Sequence, residues 1–379
     1  MFVDNLKNFW NNLMSNPIAK KAFYGMVIFI FVIIFIMIIA SCSNKKTYTY
    51  LELEEKMISL AQSKYKDEKL LPQNDGGTLE VNLQTFVDDG SLKNIQDIVE
   101  NNSVCSGKVT IVNNNGNYLY LPYLNCASDY KTKTLYDELT KDTVTAGNGL
   151  YKEGDEYIFK GENVNNYLKL NNIKYRIIKI NSDGTIRALD TTKRGTVIWD
   201  DHYNIDRENN DGINIYFQNN INSRIKNSIE EYYNNEEEFT EEQKGYFKTQ
   251  DICIGKRSYN DFVNDGSIEC SEKLEKQVFG LIQVNEYFKA SLDTNCTSME
   301  SQSCTNYNYF GTMPTMWSIT TDKDTSYKAY KINSDGVHLA KTSSTSNALL
   351  TVRLDKDLIV TAGTGTENDP YLVGNNTKK

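Results

Sequence analysis

The stretch that decides the organisation of this chain is AFYGMVIFIFVIIFIMIIA, residues 22–40, which holds nineteen residues and no charged side chain. A helix needs about 20 consecutive apolar residues to cross the hydrocarbon core of a bilayer. Because 24% of the whole chain is charged, such a run is out of place in an ordinary soluble core. The sequence therefore predicts a transmembrane helix over residues 22–41, preceded by a cytoplasmic leader over residues 1–21.

An alternative interpretation of the same segment rests on Cys42. The residues Ile39, Ala40, Ser41 and Cys42 resemble a bacterial lipobox, in which a signal segment is cleaved before a lipidated cysteine. In that case residues 22–41 are a lipoprotein signal segment and Cys42 carries the lipid. Both interpretations attach the remainder of the chain to the cell membrane.

The cysteines indicate on which side of the membrane the remainder lies. No C-x-x-C motif occurs and the chain has two histidines, a poor basis for a zinc site. Apart from Cys42, the cysteines fall into local pairs, and disulfides between them require an oxidising compartment. The most economical pairing predicts three bonds: Cys105 with Cys126, Cys253 with Cys270, and Cys296 with Cys304. The sequence thus predicts a cytoplasmic N-terminus and extracellular C-terminal domains.

The charge of the chain argues against one class of partner. The formal net charge is −9, and five of the 41 basic residues lie in residues 1–46. The predicted extracellular part is therefore strongly acidic. Because nucleic-acid binding depends on neutralising phosphates with basic side chains, no nucleic-acid partner is expected.

A small membrane-proximal domain is predicted over residues 48–135. Thr49 and Glu52 form a capping-box pattern, which predicts a helix over residues 50–67. The β-rich runs 108–112 and 118–121 flank a loop with Gly116 and predict a hairpin. An apolar span, a helix and a hairpin closed by a disulfide resemble the plan of type IV pilins and pseudopilins over residues 22–130. The prepilin leader motif is absent.

A larger distal domain is predicted over residues 142–374, followed by a tail over residues 375–379. Residues 144–149 (VTAGNG) and 360–365 (VTAGTG) are similar, which suggests that the two ends of this domain lie close together. The segments 179–184 and 331–336 both read KINSDG. An Asp-Gly pair is a hairpin-turn signal, so each segment is expected to join two strands.

Two further elements are predicted within the distal domain. Ile221, Ile225 and Ile229 are spaced by four residues and predict a helix that begins at Ile221. Residues 277–284 are expected to form a strand.

The distal domain resembles an uncharacterised bacterial surface domain related to the C-type-lectin-like and formylglycine-generating (sulfatase-modifying factor) folds. The segments that carry the resemblance are 175–178 (YRII), 222–224 (NSR), 239–244 (FTEEQK), 280–287 (GLIQVNEY), 317–319 (WSI) and 352–354 (VRL). The expected fold class is therefore α+β: a transmembrane helix, a small pilin-like domain and a larger mixed C-type-lectin-like domain.

The candidate site residues follow from the polar loop after Trp199. Oxygen-rich loops bind calcium, although a solvated acidic loop is the simpler interpretation. Trp199 and Trp317 are candidates for stacking on a sugar, although a place in the core is the simpler interpretation. The candidate calcium ligands are Asp200, Asp201, Asp206, Glu208 and Asp211.

Motifs of catalysis are missing from the sequence. It contains no P-loop, G-x-S-x-G or H-E-x-x-H pattern, and the distal cysteines are expected to be structural. We therefore expect no enzyme and no cofactor other than calcium. The expected function is recognition or adhesion at the cell surface through a cell-surface or cell-wall glycan or a protein. The alternative is a pseudopilin-like structural subunit or envelope scaffold.

Overall fold

The computed structural model describes residues 47–373 except Asn115, Asn171 and Glu236, together with ten residues nearer the N-terminus. The predicted segment 22–41 and Cys42 lie almost wholly outside the described residues, as does the predicted tail. Among the helices that are described, none combines the length and the apolar character needed to cross a membrane. The ten N-terminal residues are Trp10, 14–18, Lys20, Lys21, Phe23 and Met26.

The described part is a mixed α+β structure built mostly from antiparallel sheet, which confirms the predicted fold class at that level. Its buried apolar side chains form a smaller cluster near the N-terminal side and a larger distal cluster.

The smaller cluster is a helix packed on a three-stranded antiparallel meander, β1-β2-β3. Helix α1 begins with the predicted capping box between Thr49 and Glu52, and it buries Leu53, Met57 and Ala61. It ends at Lys64, three residues before the predicted boundary. The elements are α1 (Tyr50–Lys64), β1 (Thr78–Asn82), α2 (Leu83–Asp88), α3 (Ile95–Ile98), β2 (Ser106–Asn114) and β3 (Asn117–Asn125).

The junction between the two clusters is ordered and hydrogen-bonded. Helix α4 (Leu135–Thr140) packs into the larger cluster, and the backbone N–H of Leu135 donates to Leu358 O at 2.6 Å. At the tip of the β2–β3 hairpin, the buried amide of Asn114 donates to Gly245 O at 2.8 Å. The two parts of the chain are therefore in direct contact.

The larger cluster lies between two sheets. The first runs in the order β19-β8-β7-β6-β21-β20, with β5 on β7 and β4 on β5. Its strands are β4 (Gly149–Glu153), β5 (Glu156–Lys160), β6 (Tyr167–Leu170), β7 (Ile173–Ile180), β8 (Ile186–Asp190), β19 (Thr351–Leu354), β20 (Val360–Ala362) and β21 (Tyr371–Val373).

The second sheet runs in the order β17-β16-β15-β18-β9, and β13 pairs in parallel with β15. Its strands are β9 (Thr196–Ile198), β13 (Lys256–Arg257), β15 (Met316–Asp322), β16 (Lys328–Asn333), β17 (Gly336–Lys341) and β18 (Thr345–Asn347). Two short pairs, β10 (Phe217–Gln218) with β11 (Ile221–Asn222) and β12 (Gln250–Cys253) with β14 (Lys273–Gln277), stand apart from these sheets.

Short helices connect the strands of the distal part. They are α5 (Arg224–Asn234), α6 (Glu241–Lys244) and α7 (Val284–Lys289), with 3₁₀ turns at Glu269–Ser271, Gln302–Thr305 and Tyr309–Thr312. The smaller part has 3₁₀ turns at Glu68–Leu70 and Glu100–Asn102.

Both sequence echoes correspond to structure. Each KINSDG segment joins two paired strands, β7 to β8 and β16 to β17. Residues 144–149 lead into β4, and residues 360–365 begin with β20. Both strands belong to the first distal sheet. The two strands are not neighbours in that sheet, so the closeness of these ends stays a prediction.

Two predicted elements differ from the structure. The helix expected from Ile221 begins only at Arg224, because the Ser223 hydroxyl caps it, and Ile221 lies in β11 with 62% of its surface exposed. The strand expected over residues 277–284 is wrong. Leu281 and Ile282 are buried in the core, but Gly280 contributes a single bridge to Thr351 instead of a ladder.

Candidate ligand-binding cleft

The acidic loop after Trp199 does not gather its carboxylates into a metal site. Asp200 accepts hydrogen bonds from the backbone N–H and ring of His202, and Asp201 pairs with Arg224 at 2.7 Å. Asp211 pairs with Lys341 at 3.1 Å. Throughout the described residues, no group of three or more His, Cys, Asp and Glu side chains is placed to hold a metal ion. The expected calcium ligands, Asp200, Asp201, Asp206, Glu208 and Asp211, therefore do not converge.

Both candidate tryptophans are core residues. Trp199 and Trp317 are each 0% exposed. The Trp199 indole N–H donates to Ser318 O at 3.1 Å, and that of Trp317 donates to Val197 O at 3.0 Å. Neither ring has a face open to a sugar, so the expected stacking role is wrong for this conformation.

The three predicted disulfides are confirmed. Their Cα atoms are 4.0, 4.4 and 4.5 Å apart for Cys105–Cys126, Cys253–Cys270 and Cys296–Cys304. The first closes the open end of the β2–β3 hairpin, as expected. Lipidation of Cys42 lies outside the described residues.

A polar cleft of about 570 Å³ opens where strands of the first distal sheet meet the β12 segment and helix α7. That volume is within the range of small-ligand sites. Its lining combines charged and amide side chains with two isoleucines and the Cys253–Cys270 disulfide. The lining residues are Glu156, Ile158, Ile178, Lys179, Asn181, Ser182, Asp183, Arg187, Gln250, Asp251, Cys253, Asp265, Gly266, Ser267, Cys270, Gln283, Asn285, Glu286, Lys289 and Arg353.

The floor of the cleft is fixed by a buried ion pair. The Arg187 guanidinium on β8 donates twice to the Glu286 carboxylate of α7. It also donates to Gln250 Oε1 and to Leu281 O, each at 3.1 Å. Glu286 closes the capping box of α7 by accepting from the Gln283 backbone N–H at 2.9 Å. These bonds neutralise the two charges and hold β8, β12 and α7 together.

The other cations of the cleft are paired as well. Lys179 lies 2.7 Å from Glu156, and Arg353 pairs with Asp183 of the β7–β8 turn. Lys289 lies 4.0 Å from Glu153, just beyond the rim. Glu153 pairs more closely with Lys160, so among the described cations of the cleft Lys289 is the least completely neutralised.

One buried polar atom of the cleft has no partner. Asn285, the second residue of α7, is 6% exposed, and its Oδ1 accepts no hydrogen bond. Its backbone N–H is engaged by Glu269 Oε1 at 3.2 Å, which fixes its position. Leaving a buried acceptor unsatisfied costs about 1–3 kcal/mol. Among the described residues, the other unsatisfied buried side-chain atoms belong to residues that do not line the cleft: Tyr175, Arg194, Tyr309 and Thr351.

The wall opposite Asn285 requires a glycine. Gly266 has a φ of +89°, and a Cβ at this position would lie 2.9 Å from Asn285 Nδ2. The Cys253–Cys270 disulfide attaches the loop that carries Gly266 to β12. A glycine here therefore allows the loop to approach the Asn285 amide closely while the cleft stays open.

Sequence reasoning missed this cleft. Its residues come from β5, β7, β8, β12, β19, α7 and the 265–270 loop, which are distant in sequence. One local signal was available, since Gln283 and Glu286 form a capping pattern directly around Asn285.

Comparison of the chain with protein-family models, with curated proteins and with solved structures found no match. The chemistry of the cleft therefore rests on the residues that line it.

Proposed function

We propose that this protein is a membrane-anchored, non-enzymatic recognition or adhesion protein whose extracellular part binds a ligand in the polar cleft. The observation that carries the proposal is the polar cleft of about 570 Å³, whose walls are held by the buried Arg187–Glu286 pair and the Cys253–Cys270 disulfide. A cleft of this volume with fixed polar groups is typical of a small-ligand site.

Two further observations support the location outside the cell. Three disulfides require an oxidising compartment. The uncharged run over residues 22–40 has the length of a membrane span. We propose a retained transmembrane helix as the anchor, with a lipid on Cys42 as the alternative.

We also propose the finer fold assignment: a pilin-like membrane-proximal unit that carries a C-type-lectin-like distal unit. The packing of α1 on the β1-β2-β3 meander supports the first assignment. The same arrangement favours a second candidate function, that of a pseudopilin-like subunit or envelope scaffold. Self-association of the protein in intact cells, detected by cross-linking, would favour this candidate.

The test of the recognition function is binding of the full-length protein, in detergent micelles, to arrays of glycans, peptides and cell-wall fragments. We expect at least one ligand whose binding is lost in Asn285→Leu. Asn285 lines the cleft, and leucine has a similar shape but no polar group. Removing an unsatisfied buried oxygen should leave the free energy of unfolding unchanged or raised.

A matched control is Asn214→Leu. Asn214 is 1% exposed, and its amide donates to Asp322 O, Thr325 O and Lys328 O. This variant should lose about 1–3 kcal/mol of stability yet bind normally while folded. An array without any ligand, or a ligand that Asn285→Leu still binds, contradicts the proposal.

A further inference from the structure

The side chains of Lys256 and Asn214 meet inside the distal part. Lys256 lies on β13, and Asn214 lies in the loop before β10 and is 1% exposed. Lys256 Nζ donates to Asn214 Oδ1 at 2.6 Å. Because a carbonyl bond is about 1.23 Å long, Nζ lies no more than about 3.8 Å from Asn214 Cγ. The amine is therefore close to the separation of about 3–3.5 Å from which two atoms react.

The Asn214 amide nitrogen is surrounded by carbonyl oxygens. Nδ2 donates to Asp322 O at 2.7 Å, to Thr325 O at 2.6 Å and to Lys328 O at 2.9 Å. A neutral amide nitrogen has two N–H donors, so one of the three oxygens lacks a donor of its own. A protonated nitrogen at this position has three N–H donors, one for each oxygen. The surroundings of Nδ2 therefore favour a positively charged leaving group over the amide itself.

The Lys256 amine has the properties of a nucleophile. Its side chain is half-buried, and burial lowers the pKa of Lys256 against the opposing fields of the Glu272, Asp322 and Asp206 carboxylates. A desolvated lysine is neutral in a larger fraction of molecules, and the neutral amine is the reactive form. An activated amine thus lies against an amide that is rigidly held.

We propose that Lys256 and Asn214 become joined by an intramolecular amide bond, which the folded protein forms by itself with release of ammonia. The neutral Nζ attacks Cγ, a C–N bond forms, and the carbonyl electron pair moves to Oδ1. One proton then passes from Nζ to Nδ2, the Cγ–Nδ2 bond breaks, and ammonia leaves as the carbonyl re-forms. The three carbonyl oxygens around Nδ2 stabilise the positive charge that develops on it.

This bond closes the chain between residues 214 and 256 into a covalent ring. The ring contains β10, β11, α5, α6 and β12. A cross-link restricts the unfolded chain and so stabilises the folded one. Thiols reduce the neighbouring Cys253–Cys270 disulfide but do not cleave an amide. The ring therefore persists in a reducing environment.

Mass spectrometry of the full-length protein, denatured and with its disulfides reduced, tests the proposal. Relative to a Lys256→Arg variant, and after allowance for the substitution, we expect most parent molecules to be lighter by the mass of one ammonia. Trypsin should release from the parent a branched peptide that joins residues 208–224 to residues 249–257, with no cleavage after Lys256.

The variant and its control differ in the partner of the lysine. Lys256→Arg keeps a charged donor but removes the nucleophile, because a guanidinium stays protonated. It should yield no branched peptide. Lys179→Arg is the matched control, since Lys179 donates to a carboxylate oxygen of Glu156 at 2.7 Å instead of an amide. It should yield the branched peptide in full.

Two results overturn the proposal. The first is a parent digest that contains residues 208–224 and 249–256 only as separate linear peptides. The second is an ammonia loss that Lys256→Arg retains, because a succinimide at the Asn148–Gly149 sequence also releases ammonia. If Lys256→Arg does not fold, the presence or absence of the branched peptide in the parent decides the question alone.

Discussion

A single buried carboxylate makes the stability of the smaller, N-terminal unit depend on pH. Glu54 lies on the inner face of α1 with 3% of its surface exposed, and the Thr132 hydroxyl donates to it. Burial raises the pKa of Glu54 to about 7, against the opposing effect of the hydrogen bonds from Thr132 and Tyr130. The folded protein therefore holds this proton up to a pH at which the unfolded chain has lost it.

The consequence is a stability that falls as the pH rises. Between the unfolded pKa of 4.5 and the folded value near 7, the folded state binds more protons. The free energy of unfolding thus carries its full contribution from Glu54 below pH 4.5 and loses about 3 kcal/mol by pH 7 and above. Denaturant titrations at a series of pH values should show this slope.

The variant Glu54→Gln should remove that slope and be more stable than the parent at pH 8, because a neutral amide keeps a partner for Thr132 without a buried charge. Glu55→Gln, one residue further along and exposed, serves as the control and should retain the parent profile. A parent protein whose stability rises between pH 5 and 7 would contradict the assignment.

At the scale of elements, Arg257 stabilises the segment 258–269, which contains no β-strand. Arg257 on β13 is 0% exposed and pairs with Glu269, also 0% exposed, at 2.9 Å. Its remaining guanidinium donors reach Asp261 O at 2.8 Å and Val263 O. Arg257 therefore binds three points of the segment 258–269, which continues into the wall of the cleft.

The variant Arg257→Met should lower the free energy of unfolding by about 3–5 kcal/mol, because it leaves the Glu269 charge buried without its partner. Denaturant unfolding measures the loss, and limited proteolysis should show faster cleavage within residues 258–269. Arg224→Met breaks an exposed pair with Asp201 and should cost less than about 1 kcal/mol. Equal costs for the two variants would refute the organising role of Arg257.

Short sequence patterns predicted most of the structural features that depend on interactions between residues close together in the chain. The capping box at Thr49, both Asp-Gly turns and the three short-range disulfides were all predictable, because each depends on residues that are near in sequence. Ile221 misled the helix prediction. Its spacing from Ile225 and Ile229 is helical, but Ser223 supplies the cap and so begins the helix later.

The candidate site was not predictable in the same way. The acidic loop after Trp199 is dense in carboxylates, yet Arg224 and Lys341 neutralise two of them from distant positions. The cleft depends on the meeting of β8, β12 and α7, and on an acceptor whose lack of a donor is visible only in three dimensions. The local sequence identified the acidic side chains of this loop, but it did not identify the distant basic side chains that pair with them.

For the whole molecule, the Cys105–Cys126 bond determines how the chain responds to a pull. It joins the outer ends of β2 and β3 across 21 residues. With this bond intact, tension that enters at the N-terminal side passes from one sulfur to the other and never reaches the hairpin. A stretched chain spans about 3.3–3.6 Å per residue. The bond therefore prevents the residues between Cys105 and Cys126 from contributing about 70 Å of extension.

Single-molecule stretching of the full-length protein between its two ends should reveal this length. The double variant Cys105→Ser, Cys126→Ser should show about 70 Å more total extension than the parent, with the other two disulfides unchanged. The double variant Cys296→Ser, Cys304→Ser, which opens a separation of 8 residues, should add less than half as much. Equal total extensions for the parent and the Cys105→Ser, Cys126→Ser variant would contradict the prediction that the disulfide keeps tension away from the hairpin.

The position of this bond also has a mechanical consequence for the contact between the two parts of the chain. The tip of the β2–β3 hairpin touches the distal part through Asn114 and Gly245. Because the bond keeps the hairpin from unravelling, this contact is shielded from a force applied between the two ends of the chain. Residues before Cys105 can then extend while the hairpin stays attached to the distal part.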